Sequence, residues 1–317
     1  MSKIYNLQLF AELNTQTTGT STLSPEMKVF YSDYLIDNAV PKLVHDQFAQ
    51  KHPIPKNGGK TIEFRKYSPL PKLLTPLTEG VTPDGQSLTV TTIEATVAQY
   101  GGYITLSDVL LMTAIDNNMV QATKLLGNQA GATLDTITRE VLNGGTNVVY
   151  AGGVASRAAL GDNKLTVDDI KKAVRALKNQ NAEKIGDSFV AIIHPDVTYD
   201  LTNDPTWQAV KDYDPKDWYE GEIGKIAGVR FVETTEAKIF DGGVYSTLIL
   251  GENAYGVTEI EGGGLEHIVK QLGSAGTSDA LNQRATVGWK ATKVAERLVE
   301  QFMVRIESKS SFEGAAN

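Results

Sequence analysis

Six of the chain's eleven prolines fall between Pro53 and Pro83, a window holding about a tenth of the 317 residues. Proline fixes its own φ and has no amide hydrogen to donate, so this stretch can be neither a helix nor a central strand. It is also too long for an ordinary connection, because unstructured loops beyond ~12–15 residues are uncommon inside compact domains. Beta-capable segments flank it, Lys60–Tyr67 on one side and Leu88–Val97 on the other. Ile62 and Phe64 alternate with Glu63 and Arg65, as in a half-buried strand. On the return, Leu88 and Val90 share one parity while Ile93, Ala95 and Val97 share the other, which predicts a bulge. Taken as a hairpin, roughly 18 residues a side reach ~60 Å. A lone two-stranded ribbon of that kind is marginal in water and needs a partner surface. The segment is therefore either disordered or an arm held straight by something else.

The length and the hydrophobic fraction of 41% supply one large core or two ordinary ones. No apolar run approaches the ~18 residues of a membrane span, and the apolar run near Asn6–Ala11 is too short for a signal peptide. No membrane partner is expected. The chain has no cysteine, which excludes disulfides, thiolate nucleophiles and thiolate metal sites. Its net charge is −8 without any long run of like charges. The basic footprint of a nucleic-acid binder is missing.

Along the chain, Asn14–Ser24 is threonine-rich with Leu23 as its one large apolar side chain, a composition that is disordered by itself. Ser24-Pro25 opens a helix carrying Met27, Phe30, Tyr31, Tyr34 and Leu35, and a second short helix is expected to run to about Gln50. Ser107-Asp108 begins the longest periodic segment, from Leu111 to Val141, an amphipathic helix of about 45 Å. Asn143-Gly144-Gly145 closes it. Gly127 and Gly131 inside it mark close packing or a bend, because the polar Asn128 and Gln129 between them rule out a membrane interface. Val148–Asn163 reads as a connection. Thr166 and Asp169 form a capping box for the next helix. Phe189–Ile193 is a buried strand, and Trp207 with Val210 predicts another short helix. Further strands are expected at Val229–Val232, Tyr245–Leu250, His267–Leu272, Ala285–Ala291 and Gln301–Glu307. Helices and strands mix without a βαβ rhythm or a repeat, so the class is α+β.

Residues that carry chemistry are sparse. The histidines at 45, 52, 194 and 267 show no metal-ligand spacing, and no metal or cofactor is expected. Gly59-Lys60-Thr61 ends like a phosphate-binding loop, but Ile54 stands where that loop needs glycine. There is no nucleophile elbow. Asp212, Asp214 and Asp217, near Trp218, are the one acidic group able to suggest acid/base work, and a solvated loop explains them as well. No catalytic residue is assigned, and the chain reads as a non-enzyme.

Several segments resemble the major capsid proteins of tailed bacteriophages, which have the Hong Kong 97-type fold. They are the run Gly221–Thr234 (Gly-Glu-Ile-Gly-Lys-Ile-Ala-Gly-Val-Arg-Phe-Val-Glu-Thr), His194-Pro195-Asp196, Asp204-Pro205-Thr206-Trp207, the run Asp279–Lys290, and the opening Asn6–Ala11. Their order and spacing cover most of the chain. The resemblance implies an N-terminal arm over residues 1–55 and an extended loop over 56–103. It implies a peripheral domain with a spine helix over 104–160 and 260–317, and an axial domain over 161–259. It implies a structural virion protein, made in the host bacterial cytoplasm, whose copies form hexamers and pentamers. These close into an icosahedral head enclosing double-stranded DNA without binding it specifically.

The implied partners are other copies of the chain, a portal and a possible decoration protein. Only about 24 polar residues precede the first helix, where relatives often carry a long cleaved scaffolding segment, so a separate scaffolding protein is expected. No lysine–asparagine crosslink is expected. Arg65, Lys66, Glu79 and Asp84 are the charged arm positions suited to contacts between subunits. Two other readings stay open: an encapsulin-like bacterial compartment shell, and an α+β hydrolase with its acidic site near Asp212–Asp217.

Overall fold

The computed structural model describes residues 15–16, 44–77, 79–82, 84–113, 118–211, 224–274 and 279–317. The opening Asn6–Ala11, the helix after Ser24-Pro25 and the acidic group Asp212–Asp217 lie outside the described residues. The chain forms two compact units, one of Met1–Gln47, Gln99–Ile137 and Gly262–Lys293, the other of Phe48–Ala98, Thr138–Glu261 and Val294–Asn317.

In the first unit the strand Ala98–Ser107 runs beside Arg284–Arg297, with Glu266–Lys270 antiparallel on the latter's other side. The short strand Thr15–Gln16 pairs in parallel with Thr105 and Leu106. Helices Asp108–Thr113 and Asn118–Asn143 follow the segment read as one long helix, with residues 114–117 outside the description. The apolar stripe does what its spacing requires: Leu111, Met119, Leu126, Ala130 and Leu134 pack on Ala285, Val287, Trp289 and Ala291. Gly127 and Gly131 are buried on the same helix, and no helix among the described residues is long and apolar enough to cross a membrane. Close strand approach explains two other glycines. A Cβ on Gly101 would lie 2.7 Å from the Trp289 carbonyl oxygen, and one on Gly288 would lie 3.0 Å from that of Gly102. His45 is wholly buried against Asp135, its Nδ1 at 2.7 Å from Oδ2 and its backbone N–H donating to Oδ1 at 2.9 Å. Lys293 meets Asp46 and donates to the Leu134 carbonyl at 2.7 Å.

The second unit is built on a mixed sheet in the order Val148–Tyr150, Met303–Ser308, Val244–Leu250, Phe189–Ile193, Val229–Glu233, Lys225–Ile226, with Ile239–Phe240 also on Val244–Leu250. Phe189–Ile193 is buried along its whole length, as its unbroken apolar run demands. Helix Val167–Asn179 starts at the expected cap, where Thr166 Oγ1 accepts from the Asp169 N–H at 3.3 Å. Its face of Val167, Ile170, Ala173, Val174 and Leu177 closes the core over the sheet, the valine, isoleucine and leucine side chains contributing ~1.5–3 kcal/mol of burial each. The helix Pro205–Lys211 carries Trp207 into the same core.

Four expectations are corrected. Residues 45–48 form a turn, and Gln50–Lys51 is a strand parallel to Gly256–Val257 instead of the end of a helix. Pro53 and Pro55 forbid helix continuation there, while the His52 and Ile54 amides donate to the carbonyls of Val257 and Glu259. The connection 148–163 contains a strand, Val148–Tyr150, too short to show a period. The predicted bulge is absent, since Thr61–Tyr67 pairs with Val90–Thr96 through seven uninterrupted partners. The ribbon is also shorter than the ~18 residues a side that a fully extended hairpin allows, because Pro69, Pro71 and Pro76 cannot donate to a ladder.

His194 ends the strand Phe189–Ile193 and caps the helix Pro195–Thr202, its Nδ1 accepting from the Asp196 N–H at 3.2 Å. Burial pushes the His194 pKa below its ordinary value, although Asp196 and Glu233 pull the other way. The unfolded chain therefore binds this proton more readily, and stability falls as pH drops through the unfolded value of about 6.5 towards the lower folded one. Protonated imidazole can no longer accept at Nδ1, so the cap, worth about 1 kcal/mol, goes with it. The thermal midpoint is expected to decline between pH 7 and pH 5, and His194→Asn, which keeps a capping acceptor, to remove part of that decline. An identical slope in the variant would exclude His194 as its source.

Candidate functional site

The proline-rich arm leaves the second unit from a buried root. Ile54 is 4% exposed and bridges to Ile260, Ala95 is 3% exposed, and the Val97 amide donates to the Lys60 carbonyl at 2.8 Å. The ribbon then pairs Ile62 with Ala95 and Phe64 with Ile93, setting small and apolar side chains across from each other. The last rung is Ser68, whose N–H donates to the Thr89 carbonyl at 3.0 Å. Beyond it the described residues up to Leu88 form no strand and are exposed.

What that loop exposes is apolar. Leu73 is 77% exposed, Leu74 85%, Leu77 75% and Leu88 69%, with Leu70 and Val81 also open. Monomeric proteins rarely leave such a group of large apolar side chains in water, and a patch of this kind marks a surface for another molecule. This explains the parity change on the return strand: Leu88 and Val90 lie where both faces of the chain are open, so alternation carries no inside or outside there. These leucines are the exposed residues that charge-based reading passed over. Their signal is legible afterwards, as leucines at 70, 73, 74 and 77 among prolines with neither a helical nor a strand period.

The four charged arm residues fall in two places. Arg65 and Lys66 stand on the paired part of the ribbon, and Glu79 and Asp84 stand on the loop; all four are exposed. Arg65 Nε lies 3.4 Å from Glu63 Oε1 on its own strand, an exposed pair worth little by itself. Beside the root is a cavity of about 470 Å³ lined by Phe64, Ile93, Leu298 and Val299 together with Arg65 and Lys66. His52 closes one side of it, edge-on to the Phe64 ring at 5.6 Å, with its Nε2 at 3.1 Å from Gln50 Oε1. Nothing in this arrangement has the form of a reaction centre, and among the described residues no group of three or more metal-ligating side chains comes together.

Comparison with known proteins bears on the fold and the family. No curated protein matches the chain in sequence. Among solved structures it is similar to the capsid of cyanophage Pam1 (TM-score 0.65, 15% identity, 98% of this chain and 99% of that one). It is similar also to the capsid of cyanophage P-SCSP1u (TM-score 0.64, 14% identity, 97% and 94%). A virus-like particle from Pyrococcus furiosus shares the fold more distantly (TM-score 0.51, 12% identity, 88% and 98%). These likenesses establish the α+β, Hong Kong 97-type capsid fold, and at such identities they establish no more. The sequence model of the family described as "Phage capsid protein" matches residues 90–299, well over half the chain. By that match the chain belongs to the phage capsid protein family, as a structural, non-enzymatic protein of the virion shell.

Proposed function

We propose that this chain is the major capsid subunit of a tailed phage, assembling into hexamers and pentamers that close an icosahedral head around double-stranded DNA. The observation that carries the reading is the apolar loop at 70–88 on a buried root. A segment with no fold of its own and several open leucines is stable only when a neighbouring copy covers it, so subunit order and assembly become one equilibrium. Arg65, Lys66, Glu79 and Asp84 are then contact positions between copies. The N-terminal arm is residues 1–55, the extended loop 56–103, the peripheral domain 104–160 with 260–317, and the axial domain 161–259. A net charge of −8 suits a container that must not grip the DNA inside it.

A separate scaffolding protein, a portal and a decoration protein complete the proposed set of partners. The test is particle formation: electron microscopy of the chain expressed with a scaffolding partner. Closed shells, tubes or isolated capsomers are expected, whereas a stable monomer at high concentration would overturn the proposal.

A further inference from the structure

One helix face runs against the charge of the chain as a whole. The chain is acidic at −8, yet helix Val167–Asn179 carries Lys171, Lys172, Arg175 and Lys178 against Asp168 and Asp169. Both acids are already engaged. Asp168 lies 2.7 Å from Lys172 Nζ, and Asp169 lies 3.3 Å from it and accepts from Thr166 Oγ1 in the cap. Lys171, Arg175 and Lys178 stand at i, i+4 and i+7, which sets three cations along one face over ~10 Å. All three are exposed, and among the described residues none of them forms an ion pair. The opposite face of the helix is packed in the core, so the cations cannot be turned inwards.

The stripe ends at a polar cavity of about 390 Å³. Arg175 and Asn179 line it from the helix, with Gln180, Gln301, Asn147 and Glu300 beside them. Part of this wall is fixed in place. Glu300 Oε1 accepts from Thr146 Oγ1 and from the Asn147 N–H, each at 3.4 Å, and Oε2 lies 2.9 Å from Arg297 Nε. Asn147 Nδ2 donates to the Met303 carbonyl at 2.8 Å. The carboxylate of the wall is thereby neutralised and does not repel an incoming acid. By contrast, the side chains of Arg175, Asn179, Gln180 and Gln301 make no hydrogen bond among the described residues.

A row of cations suits either nucleic acid or an acidic peptide, and the cavity separates the two. No aromatic side chain lines it, so a base has nothing to stack on. Carboxamides each offer a donor and an acceptor, the pair that a peptide main chain also presents. A long polyanion is repelled by the acidic remainder of the chain, whereas a short segment senses only charges within the ~8 Å Debye length. Strongly salt-dependent DNA binders make roughly 6–10 phosphate contacts, and three cations fall short of that.

We infer that the outer face of helix Val167–Asn179 and the cavity at its C-terminal end bind an acidic, extended segment of a partner protein. Lys171, Arg175 and Lys178 take its carboxylates, while Asn179, Gln180 and Gln301 take its main-chain amides. The cations speed encounter and set direction, and the carboxamides fix the register. The site is separate from the proline-rich arm and goes beyond the assembly reading, which does not depend on it.

The test is fluorescence anisotropy on the full chain, with a labelled peptide of six Asp-Ser repeats as the probe. Saturable binding is expected. An Asn-Ser peptide of the same length is expected to bind at least about tenfold more weakly, and 0.5 M salt to weaken the acidic probe by a similar factor. Lys171→Glu with Arg175→Glu is expected to abolish binding while the thermal midpoint stays within a few degrees, since neither side chain has a partner to lose. Gln301→Ala is expected to weaken the probe about threefold, which charge attraction alone does not produce. An unchanged affinity in that variant would overturn the cavity's part in the site. A single-stranded oligodeoxythymidine of matching length is the competing ligand. The proposal is overturned by an absence of saturable peptide binding, by oligonucleotide binding as tight as that of the peptide, or by peptide binding that survives the double charge reversal.

Discussion

Excising residues 69–88 and joining Ser68 to Thr89 through an Asn-Gly turn is expected to leave a folded subunit that no longer assembles. The ribbon already brings these ends together, since the Ser68 N–H donates to the Thr89 carbonyl and Tyr67 pairs with Val90. A two-residue turn of this type has the twist that antiparallel strands require. The shortened loop also lowers the entropic cost of closure. Nothing buried is lost, because the excised residues that the structure describes are all exposed. The thermal midpoint should stay within a few degrees of the parent. Assembly has the opposite exposure to risk. Six open apolar side chains at ~1.5–3 kcal/mol each, if covered, represent on the order of 10 kcal/mol of contact per subunit, of which association and ordering consume a part. Removing that term should take particle yield below detection in sedimentation and electron microscopy. Normal shells from the excised variant would refute the role given to the arm.

How much of this was legible in the sequence follows from what each signal measures. Periodicity measures one-sided burial, so the helices around Leu111–Val141 and Val167–Leu177 were readable, and an unbroken apolar run measures burial on both faces, so the strand Phe189–Ile193 was readable too. Val148–Tyr150 spans three residues and shows no period at all. The strand Arg284–Arg297 is far longer than the expected Ala285–Ala291, because its later half runs Lys293, Glu296 and Arg297 among small residues, which looks like solvent. Lys293 is in fact buried against Asp46, and a charged side chain gives no sequence sign that a partner 247 positions away will neutralise it. The arm shows the same asymmetry. Prolines announced that the segment could not be a central strand, but which of its residues would be open to a neighbour was decided by where the ladder stopped. The acidic group at Asp212–Asp217 lies outside the described residues, and the family match removes the reason to seek a hydrolase there.

The largest loss of stability from one substitution is expected at Glu307. The strand Met303–Ser308 alternates Val304 and Ile306 with Arg305 and Glu307, which by pattern alone puts the charged face in water. The fold instead buries Glu307 completely. Its carboxylate accepts a fork from Arg157, Nε at 2.6 Å and Nη2 at 2.7 Å, and a third bond from Arg305 Nε at 2.9 Å. The Phe240 ring lies against both guanidinium groups, 3.8 Å from that of Arg157 and 5.4 Å from that of Arg305. The bond to Glu307 pushes the Arg157 pKa up, whereas burial pulls that of Arg305 down. Arg305 is therefore the group that most needs the carboxylate. Its side chain is 11% exposed against 40% for Arg157, which can turn to water if released. Glu307→Ala leaves Arg305 as a buried cation, and breaking a buried pair from one side costs ~3–5 kcal/mol. Adding Arg305→Met removes the stranded charge and should return much of that loss, less the hydrogen bonds Arg305 makes to the carbonyls of Asn143 and Gly145. Urea unfolding followed by tryptophan fluorescence, with Trp207 buried in the same unit, would measure both. An unchanged midpoint for Glu307→Ala would mean that Arg305 reaches solvent after all. The expected outcome is the converse of loop excision: a subunit that fails to assemble because it fails to fold.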